Sequence, residues 1–229
     1  MFRTEKHLAD KIKIELSRNP SLLLKMKGNL NPIVFEELNI GHGIADLVIS
    51  FCKKIRKRTE SLNLFEINLL KIIQNIHLIH ILDLQDIVKT KNSKLNKAID
   101  KLEKEGFISF DNGEVCLINE YENYLAEAMA IEVKLKNWKR ALEQAYRYRS
   151  FAYQSYVFMD QKYIAPAIKN KELFLKYNVG LAGVSPNGDI EIIYTPVKGN
   201  PFDDTMNMLL NESIVTHHLS CKKVNHVSK

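Results

Sequence analysis

A change of pattern at residue 53 constrains the fold of this chain more than any other feature. Short apolar runs between turn residues precede it, and the run Lys53-Lys54-Ile55-Arg56-Lys57-Arg58, with five basic residues in six, ends them. Helical periodicity then dominates as far as residue 105, and strand-like runs return after residue 128. We therefore expect a discontinuous core over residues 1–51 and 128–200, interrupted by a separate domain over residues 52–127. A C-terminal helix and a polar tail are expected over residues 201–229.

On either side of the interruption, the pattern predicts a mixed α/β domain. Apolar residues at helical spacing predict a first helix over residues 4–18. Two apolar runs around a Gly-rich turn then predict a β-hairpin. The predicted strands are Ile33–Ile40, Ile44–Phe51, Met129–Lys136, Ser155–Met159, Val179–Val184 and Ile190–Thr195. The predicted helices are Trp138–Ser150, Ala165–Tyr177 and Asp203–His218, and residues 121–128 are predicted to form a helical connector.

The interrupting segment has its own order of helices and strands. Helical patterns over Leu62–Ile79, Leu84–Lys89 and Asn92–Glu105 are followed by two short strand patterns, Phe107–Phe110 and Glu114–Ile118. An Asn-Gly step between these strands favours a tight hairpin turn. Three helices followed by a β-hairpin resemble a winged helix-turn-helix domain, in which Asn92–Glu105 corresponds to the recognition helix.

Basic residues are concentrated in and next to this segment. The chain has a net charge of +6 and a pI near 9.0, which favours a polyanionic partner. The resemblance implies that the third helix enters the major groove of DNA while lysines at its flanks meet phosphates. The residues expected to contact DNA are Lys53, Lys54, Arg56, Arg58, Lys91, Lys94, Lys97 and Lys101, and Lys104 continues the stripe. The alternatives are that the lysine stripe is only a solvated helix face or that the winged helix docks a protein, but the pI and the neighbouring Lys53–Arg58 run favour DNA.

Two acids and a lysine stand out in the strand-like runs. Asp46 is the single acid of the apolar run Ile44–Ile49. A buried carboxylate is unfavourable unless a partner, a metal ion or solvent reaches it. In Ala130–Lys136 the side chains alternate between faces, so Glu132 and Lys134 share one face. Such an acid and base also occur on the outer face of any amphipathic strand, so the assignment depends on the residues around them.

Without the interruption, the order of elements resembles the PD-(D/E)xK nuclease superfamily, with its restriction-endonuclease-like mixed sheet flanked by helices. The resemblance covers residues 1–51 and 128–195. It rests on Asp46, on the Glu132-x-Lys134 motif, and on a following helix that carries Gln144 and Tyr148. Ala45 replaces the proline that precedes the aspartate in the family. Gln144 and Tyr148, four residues apart on this helix, look like the Gln-x-x-x-Tyr element of some branches of the superfamily. The alternative interpretation is that Tyr148 is only a packed aromatic residue.

The resemblance implies a metal-dependent hydrolase of phosphodiester bonds. Asp46, Glu132 and the backbone carbonyl of Val133 would hold Mg²⁺ or Mn²⁺. Lys134 would position or activate the water and offset charge on the phosphate, and Gln144 joins it as a candidate catalytic residue. The remaining candidate ligands are Glu5, Glu36 and Glu37, among which the sequence does not choose.

The leading hypothesis is therefore a Mg²⁺-dependent DNA endonuclease, which the inserted winged helix positions on duplex DNA. Two alternatives stay open. One is a DNA-binding or regulatory protein whose nuclease fold is inactive, and the other is a nuclease that acts only inside a larger complex of phage defence or DNA mobility. A homodimer or a larger nucleoprotein complex is compatible with the nuclease hypotheses.

The rest of the sequence predicts a soluble cytoplasmic protein without a membrane partner, because no signal peptide or long apolar run is present. The three cysteines match no zinc or iron–sulfur spacing and are expected to be reduced thiols. His77 and His80, and likewise the neighbouring pair His217-His218, lack a third ligand in the sequence. Trp138 and Tyr146 are expected to be packing residues rather than platforms for stacked bases.

Overall fold

The computed structural model describes residues 2–19, 32–41, 43–55 and 58–227, with side chains as far as residue 222. The chain divides into two compact units, one formed by Met1–Cys52 and Leu125–Asn207, the other by Lys53–Tyr124 and Met208–Lys229. Within the described residues, no helix has both the length and the apolar character needed to cross a membrane.

Both units contain helices and strands. The helices are α1 (Glu5–Arg18), α2 (Leu64–Ile76), α3 (Ile81–Val88), α4 (Asn92–Lys104), α5 (Trp138–Tyr148), α6 (Ala165–Lys169), α7 (Lys171–Tyr177) and α8 (Asp204–Val227). The strands are β1 (Ile33–Asn39), β2 (Ile44–Cys52), β3 (Leu78–His80), β4 (Ile108–Asp111), β5 (Glu114–Leu117), β6 (Leu125–Lys134), β7 (Gln154–Asp160), β8 (Gly180–Val184) and β9 (Ile190–Tyr194).

The first unit is built on a six-stranded mixed sheet in the order β1-β2-β6-β7-β8-β9. Strand β2 is antiparallel to both β1 and β6, β7 is parallel to both β6 and β8, and β9 is antiparallel to β8. Strands β2 and β6, which are far apart in sequence, are direct neighbours. The predicted mixed α/β sheet with flanking helices is thereby confirmed.

Helices cover both faces of the centre of this sheet. Leu8, Ile12 and Leu16 of α1 are buried in one core cluster with Ile131 and Val133 of β6. Side chains alternate along a strand, so the side chain of Glu132 points to the opposite face, where Tyr148 of α5 contacts it. A strand buried on both faces explains why Glu132 is only 1% exposed.

The boundaries differ from the sequence predictions at two places in this unit. Residues 125–128, predicted to be helical, begin β6, where Ser50 and Phe51 of β2 pair with Ala128 and Glu127. Pairing with β2 outweighs the helix propensity of an Ala- and Glu-rich stretch. The predicted helix over Ala165–Tyr177 is two helices that meet at Asn170.

The second unit contains α2, α3 and α4 with a three-stranded antiparallel sheet in the order β3-β5-β4. Its core includes Ile67 and Leu70 of α2, Leu95 and Leu102 of α4, and Val115 of β5. The helix predicted to reach Ile79 ends at Ile76, because Leu78–His80 pairs with β5 instead. The C-terminal helix continues to Val227 where a polar tail was predicted after residue 218.

Arg58 of the second unit is buried and held by two carboxylates. Its guanidinium donates to both oxygens of Glu212 at 3.0 and 2.9 Å and to Glu105 at 2.9 Å. Its side chain is only 4% exposed. A guanidinium satisfied by two acids below the surface is not available to a phosphate, which corrects the prediction that Arg58 contacts DNA.

Candidate active site

The pairing of β2 with β6 brings the predicted acids together. Leu47 lies opposite Ile131 in the antiparallel register, so the preceding Asp46 and the following Glu132 are neighbours across the two strands. The Asp46 carboxylate accepts a hydrogen bond from the backbone N–H of Val133 at 2.6 Å. This bond fixes the carboxylate of Asp46 beside the main chain of the Glu-x-Lys motif.

Lys134 is the cation of this site. Its ammonium nitrogen lies 2.8 Å from one carboxylate oxygen of Glu132 and 3.2 Å from a carboxylate oxygen of Glu5. It also donates to the backbone carbonyl of Val133 at 3.2 Å. Three of the predicted oxygen ligands for a metal ion, namely those of Glu132, Glu5 and Val133, thus surround one positive charge.

Tyr148 holds the other carboxylate oxygen of Glu132. The hydroxyl of Tyr148 contacts that oxygen and, at 2.6 Å, the backbone carbonyl of Ile44. A phenol has one proton, so Tyr148 either shares it between these oxygens or accepts from a protonated Glu132 while donating to Ile44. The side chain is 1% exposed, so both interpretations of Tyr148, a packed aromatic and a residue of the site, apply.

The carboxylates of the site resist ionisation. Burial raises the pKa of Asp46, and the hydrogen bond from Val133 and the charge of Lys134 offset this only in part. Burial and the charge of Asp46 raise the pKa of Glu132. Burial disfavours the charge on Lys134, but its contacts with Glu132, Asp46 and Glu5 outweigh that effect and raise the pKa of Lys134. Lys134 is therefore a persistent cation between acids that ionise reluctantly.

An acidic cavity of about 360 Å³ opens beside Asp46. Its lining includes Glu5 and Asp10 of α1 and both candidate acids of β1. Glu36 forms an ion pair with Lys13, with both side chains about half exposed. Glu37 has a left-handed backbone at φ 50°, and its charge contributes to the raised pKa of Asp46. Of the three candidate ligands, only Glu5 contacts Lys134.

The oxygen atoms gathered here fit a hard divalent cation in kind. Mg²⁺ and Mn²⁺ prefer carboxylate, carbonyl and water oxygens, and Asp46, Glu132 and the Val133 carbonyl offer these. Among the residues that the structure describes, no three His, Cys, Asp or Glu side chains form a metal-holding group. The predicted set contains two carboxylates and one main-chain carbonyl, so it does not require such a group.

Gln144 does not join this cluster directly. It lies one helical turn before Tyr148 and lines a separate polar cavity with Arg140 and Arg147. Its side-chain oxygen is buried without a hydrogen-bond partner among the described residues.

Two groups near the site were not predicted from the sequence. The backbone carbonyl of Ile44 has no sequence signature, and Asp10 appeared only as one of the polar residues of the first helix.

The predicted DNA-contacting lysines of the second unit fall into two groups. Lys91, Lys94 and Lys97 are exposed at the start of α4, with Lys94 over the ring of Phe65 at 4.1 Å. Lys101 and Lys104 are instead paired with Glu66 and Glu60. Lys53 and Lys54 are exposed, and Arg56 lies outside the described residues. The stripe is therefore most strongly cationic near the N-terminal end of α4.

Comparison of the chain with models of protein families, with curated proteins and with solved structures gives no significant match.

Proposed function

We propose that this chain is a metal-dependent DNA endonuclease of the PD-(D/E)xK type. One observation carries the proposal: Asp46, Glu132 and Lys134 converge from two strands that an intervening unit separates in sequence. A structural ion pair needs no carboxylate in the apolar strand β2, whereas phosphodiester hydrolysis needs oxygen ligands next to a cationic side chain.

The roles follow from the contacts of each side chain. Asp46, Glu132 and the carbonyl of Val133 would hold the metal ion, which polarises the phosphodiester and lowers the pKa of a water molecule. Tyr148 holds one carboxylate oxygen of Glu132, and the other oxygen faces the ammonium group of Lys134. Lys134, which forms ion pairs with Glu132 and Glu5, would stabilise negative charge on the phosphate.

The substrate assigned to the proposed nuclease is DNA. The exposed lysines of α4 and the exposed pair Lys53-Lys54 support a polyanion as the partner, because they are not neutralised by the ion pairs that hold Lys101 and Lys104. The winged-helix interpretation of Lys53–Tyr124 gives these lysines a role at the phosphates of duplex DNA.

Nicking of supercoiled plasmid DNA in Mg²⁺ tests the proposal. The wild-type chain should nick the plasmid, and EDTA should abolish nicking. Glu132→Gln and Lys134→Gln should each lower the rate by about a hundredfold or more, the effect typical of losing one preorganised electrostatic group. Lys169→Gln, at an exposed lysine of α6, is the matched control and should keep the wild-type rate.

Two results contradict the proposal. Equal nicking by wild-type and Glu132→Gln protein indicates a contaminating nuclease. A folded wild-type chain that nicks in neither Mg²⁺ nor Mn²⁺ is not an endonuclease on its own.

The second candidate is a DNA-binding protein that does not cleave. The observation that favours it is the ion pairing of Lys134 with both Glu132 and Glu5, which satisfies these acids without a metal ion. Such a protein binds duplex DNA equally in Mg²⁺ and in EDTA, and Glu132→Gln leaves that binding unchanged.

A further inference from the structure

Helix α5 carries a second feature that the hydrolytic residues do not use. Lys139, Glu143 and Arg147, four residues apart, form an exposed ridge along the helix. The same three residues line two cavities, so the ridge is a wall common to both. One cavity is mainly apolar and the other is polar.

The apolar cavity has a volume of about 610 Å³ and lies between α5 and α7. Tyr146, Leu173 and Tyr177 line it and are 41%, 38% and 36% exposed. The rings of Tyr146 and Tyr177 meet edge to face with centroids 5.2 Å apart, Phe202 packs against Tyr146 at 6.0 Å, and Lys176 lies 5.6 Å from the ring of Tyr177. Tyr146 therefore packs against neighbouring rings, as predicted, but is also exposed in the cavity. Trp138 is buried against Phe174, as expected of a packing residue.

The polar cavity has a volume of about 390 Å³ and is lined by Asn137, Arg140 and Gln144 besides the ridge. Lys139, Arg140 and Arg147 are three exposed cations against one acid, Glu143. Gln144, and with it this cavity, lies on the same side of α5 as Tyr148, which contacts Glu132. The positive cavity is thus the one nearer to the candidate active site.

This pair of cavities matches the chemistry of a nucleotide. A base has apolar faces that stack on exposed aromatic rings, and the phosphate attached to it is an anion that guanidinium groups bind. Cavities of this size also lie in the range of small-ligand sites. A peptide partner with an apolar side chain would use the first cavity but would leave three cations of the second without a counterpart.

We propose that the two cavities form one binding site for a nucleotide of an unpaired DNA strand. The base lies against Tyr146 and Tyr177, and the phosphate lies beside Arg140 and Arg147. This inference rests on the proposed nuclease function and adds to it a substrate class: DNA with at least one unpaired nucleotide next to the cleaved bond. In intact duplex DNA the base pairs keep bases away from such a groove.

Binding measured without cleavage tests the site separately from catalysis. In EDTA, fluorescence anisotropy of a labelled oligothymidylate is recorded with the full chain, and the same measurement is made with a duplex of equal length. Tyr146→Ala should weaken binding of the single strand about fivefold to a hundredfold, the usual effect of losing one stacked base. Arg147→Gln should weaken it and make the dependence of log affinity on log salt shallower by about 0.7.

Two control variants match these changes. Tyr153→Ala removes an aromatic ring immediately before β7, which lies 5.6 Å from Lys198 and does not line either cavity. Lys169→Gln removes an exposed charge on α6. Both should bind the single strand as the wild type does, and Tyr146→Leu serves as a second variant of the groove if Tyr146→Ala unfolds at a lower temperature.

Three results overturn the inference: wild-type affinity for the single strand in Tyr146→Ala and Tyr146→Leu, an equal loss of duplex binding in these variants, or displacement of the oligonucleotide by equimolar thymidine monophosphate. The last result assigns the groove to a free nucleotide. Because no cleavage occurs in EDTA, a chain that never nicks DNA can still pass this test, and an active nuclease can fail it.

Discussion

The carboxylate of Asp46 lies where its own charge is disfavoured, because burial raises its pKa despite a hydrogen bond from Val133 and a nearby lysine. The unfolded chain ionises Asp46 more easily than the folded protein does, so at neutral pH this carboxylate lowers the free energy of unfolding. This loss of stability is largest at pH values above the folded-state pKa of Asp46. It disappears below the unfolded-state pKa of about 3.9, so the contribution of Asp46 to the free energy of unfolding becomes more favourable as pH falls.

We therefore expect Asp46→Asn to be more stable than the wild type at neutral pH in EDTA. The advantage should shrink as pH falls through the folded-state pKa of Asp46, because the wild type then also carries a neutral side chain. Urea unfolding at a series of pH values gives the free-energy differences. Asp10→Asn, at an exposed acid of the same cavity, should show a smaller gain at neutral pH. A loss of stability in Asp46→Asn at neutral pH would contradict this account.

Tyr148 should act on metal affinity through Glu132. Its hydrogen bond lowers the pKa of Glu132 against the effect of burial, so Tyr148→Phe should raise that pKa further and reduce the ionised fraction. Groups that orient a metal ligand typically change metal affinity by about tenfold to a hundredfold. Calorimetric titration with Mn²⁺ measures the change, with Tyr163→Phe, outside these contacts, as the control. Unchanged Mn²⁺ affinity would limit Tyr148 to packing.

Some residues of the site could be predicted and others could not. The alternation of β6 and the lone acid of β2 identify Asp46, Glu132 and Lys134, because these signals are local in sequence. The carbonyl of Ile44 gives no such signal, since every residue has one. The pairing of Lys134 with Glu5 depends on how α1 packs on the sheet, which periodicity does not determine.

Among the elements, β6 shows why boundaries are less predictable than the elements themselves. Its first residues favour a helix by composition, and only the partner strand β2 makes them a strand. The short β3 was missed for a similar reason, because its three residues look like the end of α2 until β5 pairs with them. Apart from the break between α6 and α7 and the longer α8, the other helices and strands follow their sequence periodicity, because their apolar faces are packed in a core.

Strand β8 depends on the small size of Gly180. A Cβ atom there would lie 2.1 Å from the ring of Tyr156, its partner on β7 in a fully buried region. Gly180→Ala should therefore lower the free energy of unfolding by about 1–3 kcal/mol, as overpacked cores do. Urea unfolding measures the loss, and Gly199→Ala, where the nearest atom is the end of the Arg149 side chain, should change stability much less. Equal effects of the two variants would show that the ring moves aside.

At the scale of the whole molecule, the acids of the candidate site and the exposed lysines of α4 belong to different units. The candidate site in the first unit gathers acids, whereas exposed lysines lie at the start of α4 in the second unit. Electrostatic attraction to duplex DNA is therefore expected to come mainly from the second unit, and the proposed cleavage from the first.

Salt dependence tests this division. Lys94→Ala combined with Lys97→Ala should weaken duplex binding in EDTA and reduce the salt slope by about 0.9 for each lost phosphate contact. The nicking rate at saturating protein should be affected less than the affinity. Lys101→Ala combined with Lys104→Ala, at lysines already paired with acids, is the matched control. An equal loss of binding in both double variants would contradict the role assigned to the start of α4.

The adjacency of β2 and β6 has a consequence for synthesis of the chain on the ribosome. Asp46 leaves the ribosome long before Glu132, at a pace of about 5–20 residues per second, and all of Lys53–Tyr124 emerges in between. During that time one edge of the β1–β2 hairpin has no partner, and such edges can pair with other chains. A nascent chain therefore cannot bring the carboxylates of Asp46 and Glu132 together until β6 has been synthesised.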